Sequence, residues 1–462
     1  MECLLKQVQE GGVIGAGGAG FPTYVKLDCQ VNWVLANGAE CEPLLYKDQV
    51  LMQGWAAELF GGMLLAMKQV GATRGVIGIK KKNSDTIAIL TAQLPQAIEL
   101  YLMEDVYPAG DEVELVYAIT GKRIPSGGLP KDIGVMVNNI ESFINVYRAA
   151  NGIPVTQSMI TVHGAVTKPY TAWLPVGITY QQAIDLAGGI TCSEYVVIEG
   201  GPMMGSVTQD LTRVVTKISS GLLVLPRNSR VARIKMRSDR EVLRNAKATC
   251  DQCSICSSMC PRRLLGYPIQ PNVAMRALQV SGDNNLPFAV AAQTCSGCNL
   301  CTMWSCPEGL DPSRICHMIK RELSENSQLL TPLQLQGKTV DVHPLREYRG
   351  VPTKRLVRRL ELSDYVHIKA KFVEFDALLQ GCVQQGTALP MAITKVKIPL
   401  SQHIGKPAMA VVNVGDFVVK GQLIGQAVAD ALSVAVHASI DGQVRSVDQC
   451  IIIEQSIIRV NS

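Results

Sequence analysis

Apolar positions follow two different spacings over the first third of the chain. Residues 31–37, VNWVLAN, and residues 75–80, GVIGIK, are short apolar runs that predict buried strands. The second run divides residues 50–100 into two stretches whose apolar positions have the longer spacing of helices. Strands that alternate with helices indicate an α/β domain over residues 1–150. Residues 4–9 at its start predict a short helix, which we expect to fray.

Shorter strands predict smaller modules in the rest of the chain. Residues 158–206 place apolar strands around one helix and resemble a soluble-ligand-binding β-grasp module. The last short strands are separated by glycines and resemble a lipoyl-type barrel-sandwich hybrid, but the turn ASIDG lacks the lysine that a carrier arm needs. The predicted divisions after the α/β domain are a β-grasp module at 155–210, a linker at 211–239, a cluster domain at 240–330, a helical connector at 331–384 and a barrel-sandwich hybrid at 385–462.

Eight cysteines within residues 250–306 carry the strongest chemical signal. They form two motifs, CDQCSICSSMCP and CSGCNLCTMWSCP, each with three cysteines separated by two residues and a fourth before proline. In such motifs three cysteines bind one [4Fe–4S] cluster and the fourth binds the other. The predicted ligands are Cys250, Cys253, Cys256 and Cys306 for cluster 1, and Cys295, Cys298, Cys301 and Cys260 for cluster 2.

The second motif has one extra residue before its last cysteine, which we expect a bulge to absorb. Zinc is the alternative metal, but zinc usually takes two separated CxxC pairs. Between the motifs, PNVAMRALQV predicts a helix, which favours a helical ferredoxin domain. Cys316 and His317 follow at helical spacing and are placed to approach a cluster, although we expect Cys316 to be a core residue. His163 is expected to be a packed or surface histidine rather than a metal ligand.

Composition narrows the class of protein. The chain has 462 residues, 47% hydrophobic and 18% charged, so it can bury several ordinary cores. Aromatic residues are 5% and the net charge is +5, which disfavours nucleic acid as a partner. Seven further cysteines are scattered, and free thiols beside cluster ligands indicate a reducing compartment. No run of 18 apolar residues and no secretory leader are seen, so we expect no membrane span.

The loop GGVIGAGGAGF near the N-terminus is the second chemical signal. Four glycines within six residues let backbone amides approach a phosphate or a flavin closely. Because residues 4–10 do not read as a strand, the loop is not a Rossmann fingerprint. Glu40 and Glu42 follow the strand at residues 31–37, where acidic groups suit a ribose or nicotinamide. The alternative is that they cap the next helix, and the sequence leaves both open.

Four stretches carry a family resemblance: GAGGAGFPTYVKL, NGAECEP, residues 107–130 and VMVNNIESF. They resemble the flavin-binding fold of the NADH-oxidising subunit of respiratory complex I, and more closely the C subunit of Rnf electron-transport complexes. GGPMMG at 200–205 matches the Rnf family as well. The barrel-sandwich segment is N-terminal in that Rnf protein and C-terminal here. That order resembles the cobalamin reductases of propanediol-utilising bacterial microcompartments, and with it the resemblance covers nearly the whole chain.

The resemblance implies particular cofactors and residues. FMN would be held by Gly15, Gly17, Gly18, Gly20, Lys26, Asn37, Asn138 and Asn139. NADH would be received near Phe21, Glu40, Glu42, Asp111 and Glu112. At Ala39 the sequence departs from the NADH-oxidising subunit of complex I, in which an aspartate stands there, and this puts its detailed nicotinamide contacts in doubt.

The function implied is that of an NADH-dependent oxidoreductase with FMN and two [4Fe–4S] clusters, in which no side chain acts as a catalyst because the cofactors transfer the electrons. Its acceptor would be cobalamin, reduced from cob(III) to cob(I)alamin for an adenosyltransferase that serves a diol dehydratase. The implied location is cytoplasmic, inside a bacterial microcompartment, with a shell protein as a further partner. The alternatives are an electron-entry subunit for a ferredoxin, shell protein or membrane complex, and a non-catalytic scaffold.

Overall fold

A four-stranded parallel sheet with helices on its faces forms the first domain. The computed structural model describes residues 3–280, 285–384 and 393–455, so part of the predicted barrel module lies outside the described residues. The strand order is β3-β2-β1-β5. The elements are α1 (Leu4–Glu10), α2 (Thr23–Leu27), β1 (Trp33–Gly38), α3 (Lys47–Gly54), α4 (Ala56–Val70), β2 (Arg74–Lys80), α5 (Ser84–Ala92), β3 (Ile98–Met103), β4 (Val106–Tyr107), α6 (Glu112–Thr120), β5 (Val135–Asn139) and α7 (Ile140–Ala150).

Burial on both faces explains the apolar runs of this sheet. Val34, Leu35 and Ala36 of β1 are all fully buried, as expected for a parallel strand covered on both sides. Helices α4 and α7 cover one face and cross where a Cβ on Gly62 would lie 1.9 Å from the carbonyl oxygen of Phe143. Only glycine permits so close an approach. The predicted α/β architecture of this domain is confirmed.

Helix α1 is not frayed, contrary to expectation. Val8 is fully buried, and the backbone of Gln9 accepts a hydrogen bond of 3.1 Å from the amide of Ala435 in the last module. The amide side chain of Gln9 also donates to the carbonyl of Ser433 over 3.1 Å. These partners lie more than 400 residues away, so the local pattern gave no sign of them.

The second module is a five-stranded sheet in the order β7-β6-β10-β8-β9. Its elements are β6 (Gln157–Gly164), β7 (Tyr170–Pro175), α8 (Tyr180–Leu186), β8 (Tyr195–Glu199), β9 (Ser206–Thr208) and β10 (Gly221–Pro226). The predicted linker at 211–239 was wrong in this respect, because β10 lies in the middle of the sheet, between β6 and β8. Its pairing with distant strands is not encoded in its own short apolar run.

The cluster region and the connector are mostly short helices. They are α9 (Arg230–Lys235), α10 (Asp239–Thr249), α11 (Ile255–Ser258), α12 (Pro261–Leu264), α13 (Pro271–Ala277), α14 (Leu286–Ala289), α15 (Pro312–Glu325), α16 (Pro332–Gly337), α17 (Thr353–Arg359) and α18 (Phe375–Gln384). The connector is not purely helical. Strand β11 (Val351–Pro352) pairs with β4 of the first domain, and Phe372 bridges to Thr171 at the edge of β7.

Two small antiparallel sheets form the last module. Their strands are β12 (Lys395–Pro399), β13 (Met409–Ala410), β14 (Phe417–Val418), β15 (Leu423–Gln426), β16 (Val436–His437), β17 (Gly442–Val447) and β18 (Cys450–Glu454). Its apolar side chains share one core with the second module. Lys217 ties the modules together, because its buried Nζ donates to Gly12 O over 2.8 Å and to Ala435 O over 2.9 Å. Burial lowers the pKa of this lysine to about 7.

The described residues contain no single helix that is long and apolar enough to cross a membrane. Helices α3 and α4 pass that test of length and composition only when they are taken together, and they are bent by 93° at the break between them.

Candidate functional site

Three asparagines meet at the carboxyl edge of the parallel sheet. Strands β1 and β5 are neighbours, with Ala36 opposite Asn138 and Asn37 opposite Asn139. Ligands of open α/β sheets bind at this edge, in the crevice beyond the strand ends. The structure therefore brings the three predicted flavin asparagines to one place.

The glycine loop lies against the start of α7 and is held there by buried side chains. The backbone amide of Ala16 donates to Ser142 Oγ over 3.0 Å, and Lys47 Nζ donates to the carbonyl oxygen of Ala16 over 3.0 Å. Lys47 also forms a buried ion pair of 2.7 Å with Glu141. Neither Lys47 nor Ser142 was singled out in the sequence, because their partners belong to a different part of the chain.

The tip of the loop needs glycine for its backbone. Gly18 has φ +99° and Gly20 has φ +63°, conformations that L residues adopt only with strain. Gly17 and Gly18 are exposed, and a Cβ added to Gly18 would meet no atom within 4 Å. The loop therefore presents open backbone beside the asparagine edge, as a phosphate or flavin site requires.

Asn138 has the side chain that fits a bound cofactor best. It is 3% exposed, yet neither its amide nitrogen nor its amide oxygen has a hydrogen-bond partner within the part of the chain that the structure describes. A buried amide without partners costs free energy. A flavin carries both donors and acceptors on its ring, so it supplies what this amide lacks.

The other two asparagines have partners inside the protein. Asn37 donates to Gly110 O over 2.8 Å and accepts from the amide of Ala39. Asn139 caps α7 by accepting from the amide of Glu141, and its nitrogen donates to Asp48 over 3.0 Å. Both side chains shape the edge of the sheet, and their own hydrogen bonds are already used.

Lys26 and Glu112 form a pair at the same edge. Lys26 Nζ donates to Val137 O over 3.0 Å and lies 3.7 Å from the Glu112 carboxylate. Lys26 therefore contacts the backbone of the strand that leads into Asn138. Phe21 is half-buried at the end of the glycine loop, where its carbonyl oxygen accepts from the amide of Gly15 over 2.8 Å.

The acidic residues predicted to receive NADH make structural contacts. Glu40 accepts from the amides of Asp48 and Gln49 and so caps α3, which is the alternative that the sequence left open. Glu42 accepts from the amides of Met203 and Met204 over 2.8 Å each and binds the second module. Burial, followed by the nearby charge of Asp48, raises the pKa of Glu40 to about 8.

The first predicted cysteine set surrounds one small cavity. Cys250, Cys253, Cys256 and Cys306 all line it, together with apolar side chains such as Met275 and Leu310. Cys253 is exposed, whereas Cys256 and Cys306 are buried. Burial and the neighbouring thiolates raise the pKa of Cys256 to about 12 when no metal is bound. Iron binding would require these thiols to lose their protons, because the thiolate is the metal ligand.

The second predicted set is also gathered in space. Burial, and then the charges of Cys295, Cys298 and Cys260, raise the pKa of Cys301 well above its ordinary value. Cys316 is fully buried, as expected for a core residue, but its thiol also reaches Cys295. Hydrogen bonds from Cys316 and His317 lower the pKa of Cys295 well below its usual range.

A π-helical turn absorbs the extra residue of the second motif. Residues Cys301–Ser305 form this turn, and the amide of Cys306 donates to Cys301 O over 3.0 Å. Across the described residues, no three His, Cys, Asp or Glu side chains converge on a single metal ion. A π turn accommodates one more residue than an α turn, and such turns are frequent at functional sites. The bulge expected from the spacing is therefore present.

The sheet edge and the second cysteine set share one interface. Arg262, two residues after Cys260, forms an ion pair of 3.0 Å with Asp111, and Asp111 also caps α6. Tyr107 Oη donates to the carbonyl oxygen of Cys298 over 2.7 Å. Sequence reasoning missed Arg262 and Tyr107, since neither belongs to a recognisable motif. Asp111 thus holds the cluster region against the flavin edge.

Family models match four parts of the chain. The Nuo51 FMN-binding domain matches residues 8–148, the SLBB domain 159–207, the 4Fe-4S dicluster domain 249–311 and the RnfC barrel sandwich hybrid domain 385–460. Taken with the geometry, they define a flavin and iron–sulfur electron-transfer protein with FMN and two [4Fe–4S] clusters.

Two relatives match nearly the full length of this chain, and a third matches just over half of it. Cobalamin reductase PduS of Salmonella typhimurium is 40% identical over 447 residues, which covers 96% of this chain and 95% of that protein. PduS of Citrobacter freundii is 40% identical over 450 residues, 97% and 95% of the two chains. The C subunit of the Na⁺-translocating ferredoxin:NAD⁺ oxidoreductase complex of Acetobacterium woodii is 38% identical over 272 residues, 57% and 58% of the two chains. The chain belongs to the PduS family.

Proposed function

We propose that this protein is an NADH-dependent oxidoreductase that reduces cobalamin, from cob(III) through cob(II) to cob(I)alamin. The observation that carries the proposal is the match of 40% identity to cobalamin reductase PduS over 96% of this chain and 95% of that protein. A match of this extent covers the flavin domain, the β-grasp module, the cysteine region and the barrel-sandwich hybrid together.

The flavin is proposed to lie between the glycine loop and the asparagine edge. When bound, FMN accepts a hydride from NADH and releases electrons one at a time, which iron–sulfur clusters require. The amide of Asn138 would donate to and accept from the ring, and the exposed backbone at Gly17 and Gly18 would lie close to it. Ser142 and Lys47 fix that backbone, so little ordering is needed when the flavin binds.

NADH is proposed to approach beside Phe21 and Glu112. The half-buried Phe21 ring lies at the end of the glycine loop, and Glu112 begins α6 beside Lys26. Glu40 and Glu42 are less suited to direct contact, because their carboxylates accept backbone amides. We assign those two residues to shaping the pocket wall rather than to binding the dinucleotide.

The cysteines are proposed to hold the clusters in the two sets predicted from their spacing. Cys250, Cys253, Cys256 and Cys306 already line one cavity, which supports the first set. The Arg262–Asp111 ion pair and the Tyr107–Cys298 hydrogen bond keep the second set against the flavin domain.

The cellular setting is proposed from the relatives alone. The reduced corrinoid would pass to an adenosyltransferase and support a diol dehydratase. The protein would work in a bacterial microcompartment and contact a shell protein.

An anaerobic titration of the iron- and flavin-loaded protein tests the proposal. Adding NADH should bleach flavin and cluster absorption, and adding hydroxocobalamin should restore it as cob(II)alamin and then cob(I)alamin appear. Rapid reduction of a ferredoxin, with cobalamin reduced only at the rate of free reduced flavin, would instead favour an electron-entry subunit. Absence of bleaching in fully loaded protein would contradict the NADH-dependent activity and favour a scaffold.

Matched variants locate the cofactors. Cys298→Ala and Cys250→Ala should each lower iron content and keep FMN. Gly18→Val should lose FMN and keep iron, because it adds a strained side chain to the open loop. Unchanged iron content in both cysteine variants would contradict the ligand assignment.

A further inference from the structure

An open cavity of about 570 Å³ lies between the first domain and the connector. Gln49, Gln53 and Trp55 line one side, at the end of α3. Lys369, Lys371 and Phe372 of the connector line the other. Its volume is within the roughly 300–1,000 Å³ of small-molecule pockets. No step described so far uses it.

The walls of this cavity are held by hydrogen bonds and ring contacts. Thr171 on the edge strand β7 donates its amide to Lys371 O over 2.9 Å and accepts from the amide of Val373 over 3.0 Å. Trp55 packs edge-on against Phe372 at 5.1 Å and against Trp173 at 5.7 Å between ring centroids. The connector is thus fixed to the second module, and the cavity is formed before any ligand arrives.

Polar groups of the lining lack partners. Within the described ranges, the ammonium groups of Lys369 and Lys371 make no ion pair and no hydrogen bond, and the side-chain amide of Gln49 has no partner either. Two carboxylates, Asp85 and Glu374, also line the cavity. The two lysines and the two carboxylates therefore leave the lining without net charge. A pyrophosphate carries several negative charges, so it is a poor match for this lining. A ligand that carries one phosphodiester beside a cationic centre, with an aromatic ring, fits this lining better.

The cavity lies a short distance from the flavin edge. Helix α3 begins at Lys47 and Asp48, which contact the glycine loop and Asn139. Gln49 and Gln53 follow on the same helix, and five residues of helix span only about 7.5 Å along its axis. A ligand in the cavity would therefore lie beside the proposed flavin site.

We propose that this cavity binds the nucleotide loop of cobalamin. The aromatic base of the loop packs on Trp55 and Phe372, and its phosphodiester binds Lys369 and Lys371. Gln49 offers its amide to the amide side chains of the corrin, whose ring is too large for the cavity and lies across its open side. The inference rests on the proposed function, since it names where the acceptor binds.

Comparing two corrinoids tests this assignment. Cobinamide lacks the nucleotide loop and keeps the corrin ring. The variant is Lys369→Glu/Lys371→Glu, and the matched control is Lys395→Glu/Lys397→Glu, two exposed lysines with the same spacing on β12. Affinities for cobalamin and cobinamide are measured by equilibrium dialysis on the fully loaded protein. Quenching of Trp55 fluorescence, with Trp55→Phe as reference, gives an independent readout.

We expect the cavity variant to bind cobalamin at least about tenfold more weakly, because each charged hydrogen bond to a phosphate contributes strongly. Its affinity for cobinamide and its bleaching by NADH should stay unchanged, and the control should match the wild type throughout.

Equal cobalamin affinity in variant and wild type would overturn the inference, as would an equal loss for both corrinoids. A raised KM for NADH with unchanged cobalamin binding would reassign the cavity to the dinucleotide. If the wild-type protein neither binds nor reduces cobalamin, the proposed function itself fails. If it does both and the variant is unaffected, only the cavity assignment fails.

Discussion

Asn138→Leu should have opposite effects on protein stability and on FMN affinity. The amide is 3% exposed and has no partner among the described residues. Burying an unpaired amide costs about 1–3 kcal/mol, and a leucine of similar size removes that cost. The flavin-free protein should therefore become more stable by about that amount, which raises Tm by about 2–4 °C per kcal/mol in a domain of this size.

FMN binding should weaken in the same variant. Two neutral hydrogen bonds to the ring are lost, each contributing about 0.5–1.5 kcal/mol, so the dissociation constant should rise by about 5- to 140-fold. Thermal and urea unfolding of flavin-free protein measure the first effect. Quenching of FMN fluorescence during titration measures the second.

Asn37→Leu is the matched control. Asn37 occupies the neighbouring strand end, but its amide already binds Gly110 O and the amide of Ala39. The same substitution there should destabilise the flavin-free protein, because it leaves two backbone groups without partners. If Asn138→Leu is also destabilising and FMN affinity is unchanged, Asn138 has a structural role and the reasoning is wrong.

Three further substitutions and one deletion test the contacts around the two sites. Ser142→Ala leaves the buried amide of Ala16 without an acceptor and should cost about 1–3 kcal/mol in urea unfolding, with a matching loss of FMN; Ser84→Ala on the exposed start of α5 is its control. Deleting Trp304 shortens the π turn and should displace Cys306, so that iron analysis and electron paramagnetic resonance show loss of cluster 1 and retention of cluster 2. Glu40→Gln should flatten the pH dependence of stability, because the pKa of Glu40 is raised from 4.5 to about 8 in the folded protein. The carboxyl stabilises the fold fully below pH 4.5, and this contribution is lost as pH rises through about 8. Urea unfolding midpoints measured at these two pH values test the effect. Arg262→Gln should leave Asp111 unpaired and weaken the contact between the first domain and the cluster region, seen as faster proteolysis between them, whereas Arg321→Gln on the exposed face of α15 should have no effect.

Local sequence patterns predicted the elements of this protein well. Apolar runs marked β1 and β2 because both faces of the parallel sheet are covered, and the first cysteine set predicted from the spacing lines one cavity. The extra residue in the second motif correctly indicated a bulge. The strand signals depend on neighbours within a few residues and the cysteine signal on the spacing within each motif, so both are present in the chain itself.

Long-range contacts account for what the sequence did not predict. β10 was assigned to a linker because its place between β6 and β8 depends on strands more than twenty residues away along the chain. Glu42 was predicted to lie where NADH is received, but its carboxylate accepts from the amides of Met203 and Met204, which lie about 160 residues further on. No local pattern distinguishes a carboxylate that binds backbone amides from one that binds a ribose.

At the flavin edge, most polar side chains bind other parts of the protein and only a few polar groups are left for a ligand. Most polar residues predicted for cofactor contact have their hydrogen bonds satisfied inside the protein, as Asn37, Asn139 and Glu40 show. Asn138 and the exposed backbone of the loop are left for a ligand. A site in which many residues fix a few unpaired groups is preorganised, because the ordering cost is met during folding and not during binding. Substituting one of the fixing residues should therefore reduce both stability and FMN affinity, whereas Asn138→Leu should reduce FMN affinity and raise the stability of the flavin-free protein.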